Sequence, residues 1–234
     1  MTHLEFKPSN LVSGLITKPV TVFLHGFPAV RSIQNRDIAK QTSEVSGRHV
    51  FLPLYRGLGF SEGEFSFREC RAEVEAFVGD LIARYGTIDL VGHSWGGYLS
   101  LGLSAKHGAK VRRLVLMSPL LNFFNVDIAD ESFKGTAKDN PQLNLGRIED
   151  RSREFVEVGE ETPAALLAAR VDAKTEVFIL QSATDQVTPP TYAEALLSHF
   201  QRPPTYETID TDHSFLVDRP AATARVIDAL DRRA

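Results

Sequence analysis

In the stretch IDLVGHSWGGYLS, Ser94 stands midway between Gly92 and Gly96. A serine hydroxyl attacks a carbonyl well only when a base removes its proton. An apolar run rich in strand formers leads into this serine, and a helix-compatible run leads out. That context predicts a strand turning at once into a helix, with Ser94 at the apex in a strained, positive-φ conformation. Side chains two residues before and after the apex would collide across so tight a turn, so glycine belongs at 92 and 96. Gly97 adds room for the helix to pack on the sheet. The apex hydroxyl then stands above the carboxyl end of the sheet, where open α/β sheets bind ligands.

The base that such a serine needs is a histidine held by a third group. Seven histidines are available. His213, in TDHSF, falls between the last predicted strand and the last helix, at the same sheet edge. His93 adjoins the serine, but its side chain is expected to leave the elbow in another direction. His25 ends a strand in the HGF loop and reads as structural, and His3, His49, His107 and His199 suit surface or helix-end positions. The orienting carboxylate should follow another strand end, and Asp185 in FILQSATDQVTP does so; its plainer reading is a loop brace. Asp210 and Asp212 are expected to brace the His213 loop. Acyl transfer also needs donors for the developing oxyanion. The backbone N–H groups of Trp95 and of Phe27, in His25-Gly26-Phe27-Pro28, are the candidates; Pro28 has no N–H to offer.

The elements that must position these groups alternate. Val20–Gly26, His49–Gly57, Ile88–Gly92, Val111–Pro119, Glu176–Gln181 and Thr205–Asp210 read as strands, most of them apolar enough to be buried on both faces. His3–Phe6 and Leu11–Thr17 suit an antiparallel edge hairpin. Helical patterns fill Ser32–Val45, Phe67–Tyr85, Trp95–His107, Pro189–Phe200 and Pro220–Arg232. Ser66-Phe67-Arg68-Glu69 reads as a capping box, and Gly86 as the stop of the helix it starts. This predicts one α/β domain over residues 1–234, a mostly parallel sheet flanked by helices on both faces. The segment from Leu120 to about Asp172 is too long for a plain crossover and carries eleven acidic and six basic residues. It reads as a small helical cap insertion, whose phenylalanines either line a substrate site or form the cap's own core.

The chain has 234 residues and a formal net charge of −4. No run of Lys and Arg offers a phosphate-binding stripe, so nucleic acid is not an expected partner. The single cysteine, Cys70, cannot form an intrachain disulfide or build a cysteine-based zinc site, and it falls in an apolar helical pattern that makes it a core thiol. No apolar run reaches membrane-spanning length and no leader pattern opens the chain, so a cytoplasmic protein is expected. GLGFSEG misses the third glycine of a dinucleotide fingerprint, and no metal-ligand spacing appears; no cofactor is expected.

HGFP at 25–28, RGLGFSEG at 56–63, GHSWGG at 92–97, SATDQVTP at 182–189 and TDHSF at 211–215 together resemble the α/β-hydrolase superfamily over essentially the whole chain. The chain order Ser94, Asp185, His213 is that family's order. RGLGFSEGEF is similar to loops of small carboxylesterases, including cinnamoyl-esterase-like and monoacylglycerol-lipase-like members. The resemblance implies a mainly parallel sheet of about eight strands with a lid after the sixth, and a serine esterase working through an acyl-serine intermediate; the phenylalanines of the cap suggest small, apolar or aromatic esters. A serine peptidase or amidase, a thioesterase and a non-catalytic ligand-binding member are the alternatives.

Overall fold

The computed structural model describes residues 1–8, 18–28, 35–58 and 61–232. Among them, seven strands form one sheet: β1 (His3–Phe6), β2 (Val20–Leu24), β3 (Val50–Pro53), β4 (Ile88–His93), β5 (Val111–Met117), β6 (Glu176–Ser182) and β7 (Thr205–Ile209). Their spatial order is β1-β3-β2-β4-β5-β6-β7. Every pairing is parallel except that of β1, which lies antiparallel on β3. The eighth expected strand, Leu11–Thr17, lies outside the described residues.

The period of two along each strand divides the core into two layers. Val20, Val22 and Leu24 of β2, Ile88 and Leu90 of β4, and Leu114 and Leu116 of β5 face one side. There they meet α2 (Phe67–Tyr85) and α3 (Trp95–His107). Phe23, Val91, Val115 and Met117 face the other, under α1 (Arg36–Ser46) and α8 (Arg219–Asp231). The expected apolar stripe of α2 is real: Phe67, Cys70, Val74, Val78 and Leu81 are buried, and Phe77, Ile82 and Tyr85 pack at its margin. Burial pushes the Cys70 thiol pKa far up, which suits an inert core thiol. His49 is a correction. Far from being a surface residue, it is buried, 2.6 Å from Glu5 and against the Phe51 ring.

Between β5 and β6 lie α4 (Val126–Asp139), α5 (Ile148–Glu161) and α6 (Ala164–Ala169); α7 (Pro190–Leu196) follows β6. The capping box at Ser66 is only half a box. Ser66 Oγ accepts the Glu69 N–H at 3.1 Å, but the Glu69 carboxylate turns to Arg56. Glu154 of α5 instead accepts from the next two N–H groups, those of Phe67 and Arg68, at 3.1 Å each. No helix of the described residues is long and apolar enough to cross a membrane.

The order of chain and sheet differs at one place. The chain leaves β2 for β3 on one side and then resumes at β4 on the other. The loops after β2 and β4 therefore part at their carboxyl ends and leave a crevice. The register Leu24↔Gly92 sets these two loops side by side.

Candidate active site

The turn after β4 is as tight as the sequence requires. Ser94 has φ 52° and ψ −119°, a conformation that a serine adopts only under constraint. Its N–H is held by Met117 O at 3.1 Å, and its carbonyl accepts from Gly97, Tyr98 and Leu120. A Cβ on Gly92 would stand 2.3 Å from Gly96 O, the collision across the turn expected from the sequence. A Cβ on Gly96 would meet another obstacle, the backbone of β2, at 2.1 Å from Leu24 O. The second glycine thus serves the contact between elbow and neighbouring strand. At Gly97 the obstacle would be Pro119, just past β5.

His213 and Asp185 meet although they are far apart in sequence. Nδ1 of His213 donates to Asp185 Oδ2 at 2.8 Å. Asp185 is buried and well satisfied. Its Oδ1 accepts the N–H groups of Val187 and Thr188 at 2.8 Å each, and its Oδ2 accepts the Thr188 hydroxyl at 2.9 Å. Burial alone would raise its pKa, but the hydrogen bonds from His213 and Thr188 and the His213 charge outweigh burial. They hold the carboxyl well below the usual range. Thr188 was not singled out in the sequence; the signal present was the D-x-x-T spacing of an Asx-type turn.

The loop carrying His213 is anchored at both ends. Asp212 accepts from the N–H groups of Leu216 and Val217, the bracing role expected of it. Phe215 is fully buried with φ 55°. His93, whose ring nitrogens contact Asn35 and the His213 backbone, is also part of this anchorage. Its ring lies 4.9 Å from the His213 ring, and its Nε2 lies 2.8 Å from His213 O. His25 is structural as expected. It stacks on Tyr55 at 3.8 Å, and burial pushes its pKa down to about 4 against a bond to Gly26 O.

Ser94, His213, Phe27 and Trp95 all line one cavity of about 300 Å³. Ser94 Oγ and the His213 ring share this space without a hydrogen bond between them. No described acceptor takes the backbone N–H of Phe27 or of Trp95. The Phe27 ring is fixed by Phe65, Phe67 and Phe133, with centroids 5.0 to 5.5 Å away. Phe124, Phe133 and Phe155 from the segment between β5 and β6 form the far wall, and Phe133 and Phe155 also pack on each other at 5.5 Å. The two readings of these phenylalanines are therefore one: the same rings make the local core and the cavity wall. The described lining contains no Asp, Glu, Lys or Arg.

Over residues 21–226 the sequence fits the profile of the alpha/beta hydrolase family. The chain belongs to that family. Its fold is shared with the monoacylglycerol lipase of Paleococcus ferrophilus, at 16% identity and TM-score 0.71 over 98% of this chain and 97% of that one. Est1E of Butyrivibrio proteoclasticus, solved with ferulic acid bound, matches at 17% identity and TM-score 0.73 over 97% and 92%. A soluble variant of monoglyceride lipase from Saccharomyces cerevisiae, in complex with a substrate analog, matches at 15% and 0.73 over 98% and 90%. A curated relative, a probable lysophospholipase of Arabidopsis thaliana named BODYGUARD 3, is 27% identical over 121 residues. That match spans 50% of this chain and only 24% of the relative.

Proposed function

We propose that this alpha/beta hydrolase is a serine esterase that cleaves carboxylic esters of small apolar or aromatic substrates. The observation that carries the reading is the Asp185–His213 hydrogen bond of 2.8 Å opening on the same cavity as a serine with φ 52°. In this mechanism the Ser94 hydroxyl turns to His213, which takes its proton as Ser94 attacks the ester carbonyl. Asp185 fixes the tautomer that leaves Nε2 free to act as base. The oxyanion is received by the N–H groups of Phe27 and Trp95, each worth about 3 kcal/mol of transition-state stabilisation. His213 then protonates the leaving alcohol and activates the water that releases the acid. The helices from Leu120 to Asp172 act as the cap, and Phe67, Phe133 and Phe155 hold the apolar part of the ester.

The cavity chemistry supports an ester over the alternatives. A free amino group would need a carboxylate partner and coenzyme A phosphates would need cations, and the described lining supplies neither. Part of the acidic excess between β5 and β6 is engaged elsewhere, in the Arg68 pairs with Glu157 and Glu161 and the Arg151 pair with Glu154. The names of the similar proteins, a monoacylglycerol lipase and a ferulic acid complex among them, agree with an ester.

A fluorophosphonate probe tests the nucleophile and a substrate panel tests the bond. Labelling at Ser94, with p-nitrophenyl esters turned over and aminoacyl p-nitroanilides left intact, is the expected result. Undiminished esterase activity in Ser94→Ala would overturn the mechanism; faster cleavage of the anilides would make the enzyme an amidase.

A further inference from the structure

His93 lies one residue before the proposed nucleophile and is buried. Its Nε2 is 2.8 Å from the backbone oxygen of His213. A carbonyl oxygen only accepts, so Nε2 carries the proton and Nδ1 is left as an acceptor. The side-chain amide of Asn35 lies 3.1 Å from that Nδ1. With Oδ1 facing the ring, two acceptors would meet and Nδ2 would stay buried without a partner among the described residues. A half-turn of the amide removes both faults. Asn35 occupies the N-cap position of α1, yet its side chain caps no helix N–H. Its amide serves the imidazole instead.

The resulting chain runs from Asn35, through His93, to the carbonyl of His213. It joins the start of α1, the end of β4 and the loop after β7. Burial, with the His213 charge adding to it, pushes the pKa of His93 down to about 3. The strut therefore stays neutral while its neighbour exchanges protons. Phe215, edge-on to the His93 ring at 5.8 Å, fills the remaining side.

We propose that His93 is a positioning residue: its Nε2–H pins the backbone of His213 while Asp185 pins the ring, and together they set the base against Ser94. The inference rests on the reading of Ser94 and His213 as nucleophile and base. His93 itself touches no reacting atom. Its identity is set by reach, because the donor must extend as far as Nε2 of an imidazole and must not titrate.

Glutamine and asparagine separate this role from general support. In His93→Gln the amide nitrogen reaches about as far as Nε2, whereas in His93→Asn it stops near the place of Nδ1. The expected result is that kcat for a p-nitrophenyl ester stays near wild type in His93→Gln. In His93→Asn it falls about three- to tenfold with KM little changed, as for the loss of one neutral hydrogen bond. The rate of fluorophosphonate labelling at Ser94 should fall in parallel, while the final extent of labelling is unchanged. A merely structural role would lower the extent and leave the rate of the folded fraction alone. Equal kcat in the two variants, or a fall in labelling extent only, overturns the proposal. If His93→Asn does not fold, Asn35→Ala carries the same comparison: it frees Nδ1 and should slow labelling, and an unchanged rate overturns the strut. Ser94→Ala run beside them keeps the two claims apart. Full activity there sinks the nucleophile assignment, whereas an inactive Ser94→Ala with indistinguishable Gln and Asn variants sinks only the role of His93.

Discussion

The carboxylate of Glu154, on α5, accepts the first N–H groups of α2 from Phe67 and Arg68, at 3.1 Å each. It also accepts the Ser66 hydroxyl at 2.5 Å and is paired with Arg151 at 2.7 Å. A negative charge at a helix N-terminus is favoured by both the orphan donors and the helix dipole. This contact ties the segment between β5 and β6 to the helix whose first residue, Phe67, lies against the cavity. Glu154→Ala is expected to cost about 2 kcal/mol of stability, read by urea unfolding. Glu154→Gln should cost less, because its amide oxygen can still accept. Wild-type stability in Glu154→Ala would show that water replaces the carboxylate without loss.

Acid should weaken the fold through its buried imidazoles. His25 and His93 are held neutral to about pH 4 and about pH 3, chiefly by burial, against 6.5 for a free side chain. Between those limits the unfolded chain binds more protons than the folded one, so stability falls as the pH falls below about 6.5. The slope approaches about 1.4 kcal/mol per pH unit for each group. Asp185, with its depressed pKa, adds a further loss once the pH drops below the ordinary carboxylate value of 3.8. Denaturant unfolding at pH 7, 6, 5 and 4.5 measures the slope, and His93→Gln should flatten it. An equal slope in wild type and variant would mean that His93 takes up its proton without unfolding.

Two glycines separate a steric need from a mere opening. Gly96→Ala would drive a methyl group to 2.1 Å from Leu24 O, a backbone atom that cannot swing aside. A loss of about 3 kcal/mol or more, or a failure to fold, is expected. Gly79, in the interior of α2, has nothing within 4 Å of the same position. Gly79→Ala should stabilise the protein by about 0.5 to 1 kcal/mol through helix propensity. Thermal melts of the two variants should therefore move in opposite directions.

Substrate preference should follow the aromatic wall. Phe133 touches Phe27, Phe67 and Phe155 and lines the cavity. Phe133→Leu keeps an apolar surface but removes a ring partner. An aromatic pair adds about 0.5–1.5 kcal/mol beyond its area. The ratio of kcat/KM for an aryl ester over a short alkyl ester should thus drop by up to about tenfold. An unchanged ratio would place the aryl group away from Phe133.

The elbow and the layered core were legible in the sequence because their causes are local. A five-residue turn needs glycine at 92, and a period of two sorts Leu114 and Leu116 from Val115 and Met117 without knowledge of the fold. The pairing of Asp185 with His213 was legible in outline, because both follow strands of a parallel sheet and so emerge at one edge. The sequence could not assign Gly96 to its true neighbour, the backbone of β2, nor show that Glu154 receives the first N–H groups of α2. It also could not show that His93, Asn35 and His213 form one chain. These contacts join residues distant along the polypeptide. They depend on the register Leu24↔Gly92 and on how α5 docks against α2. A hydrogen bond needs its partners placed within tenths of an ångström, and only the packed tertiary structure sets positions that finely.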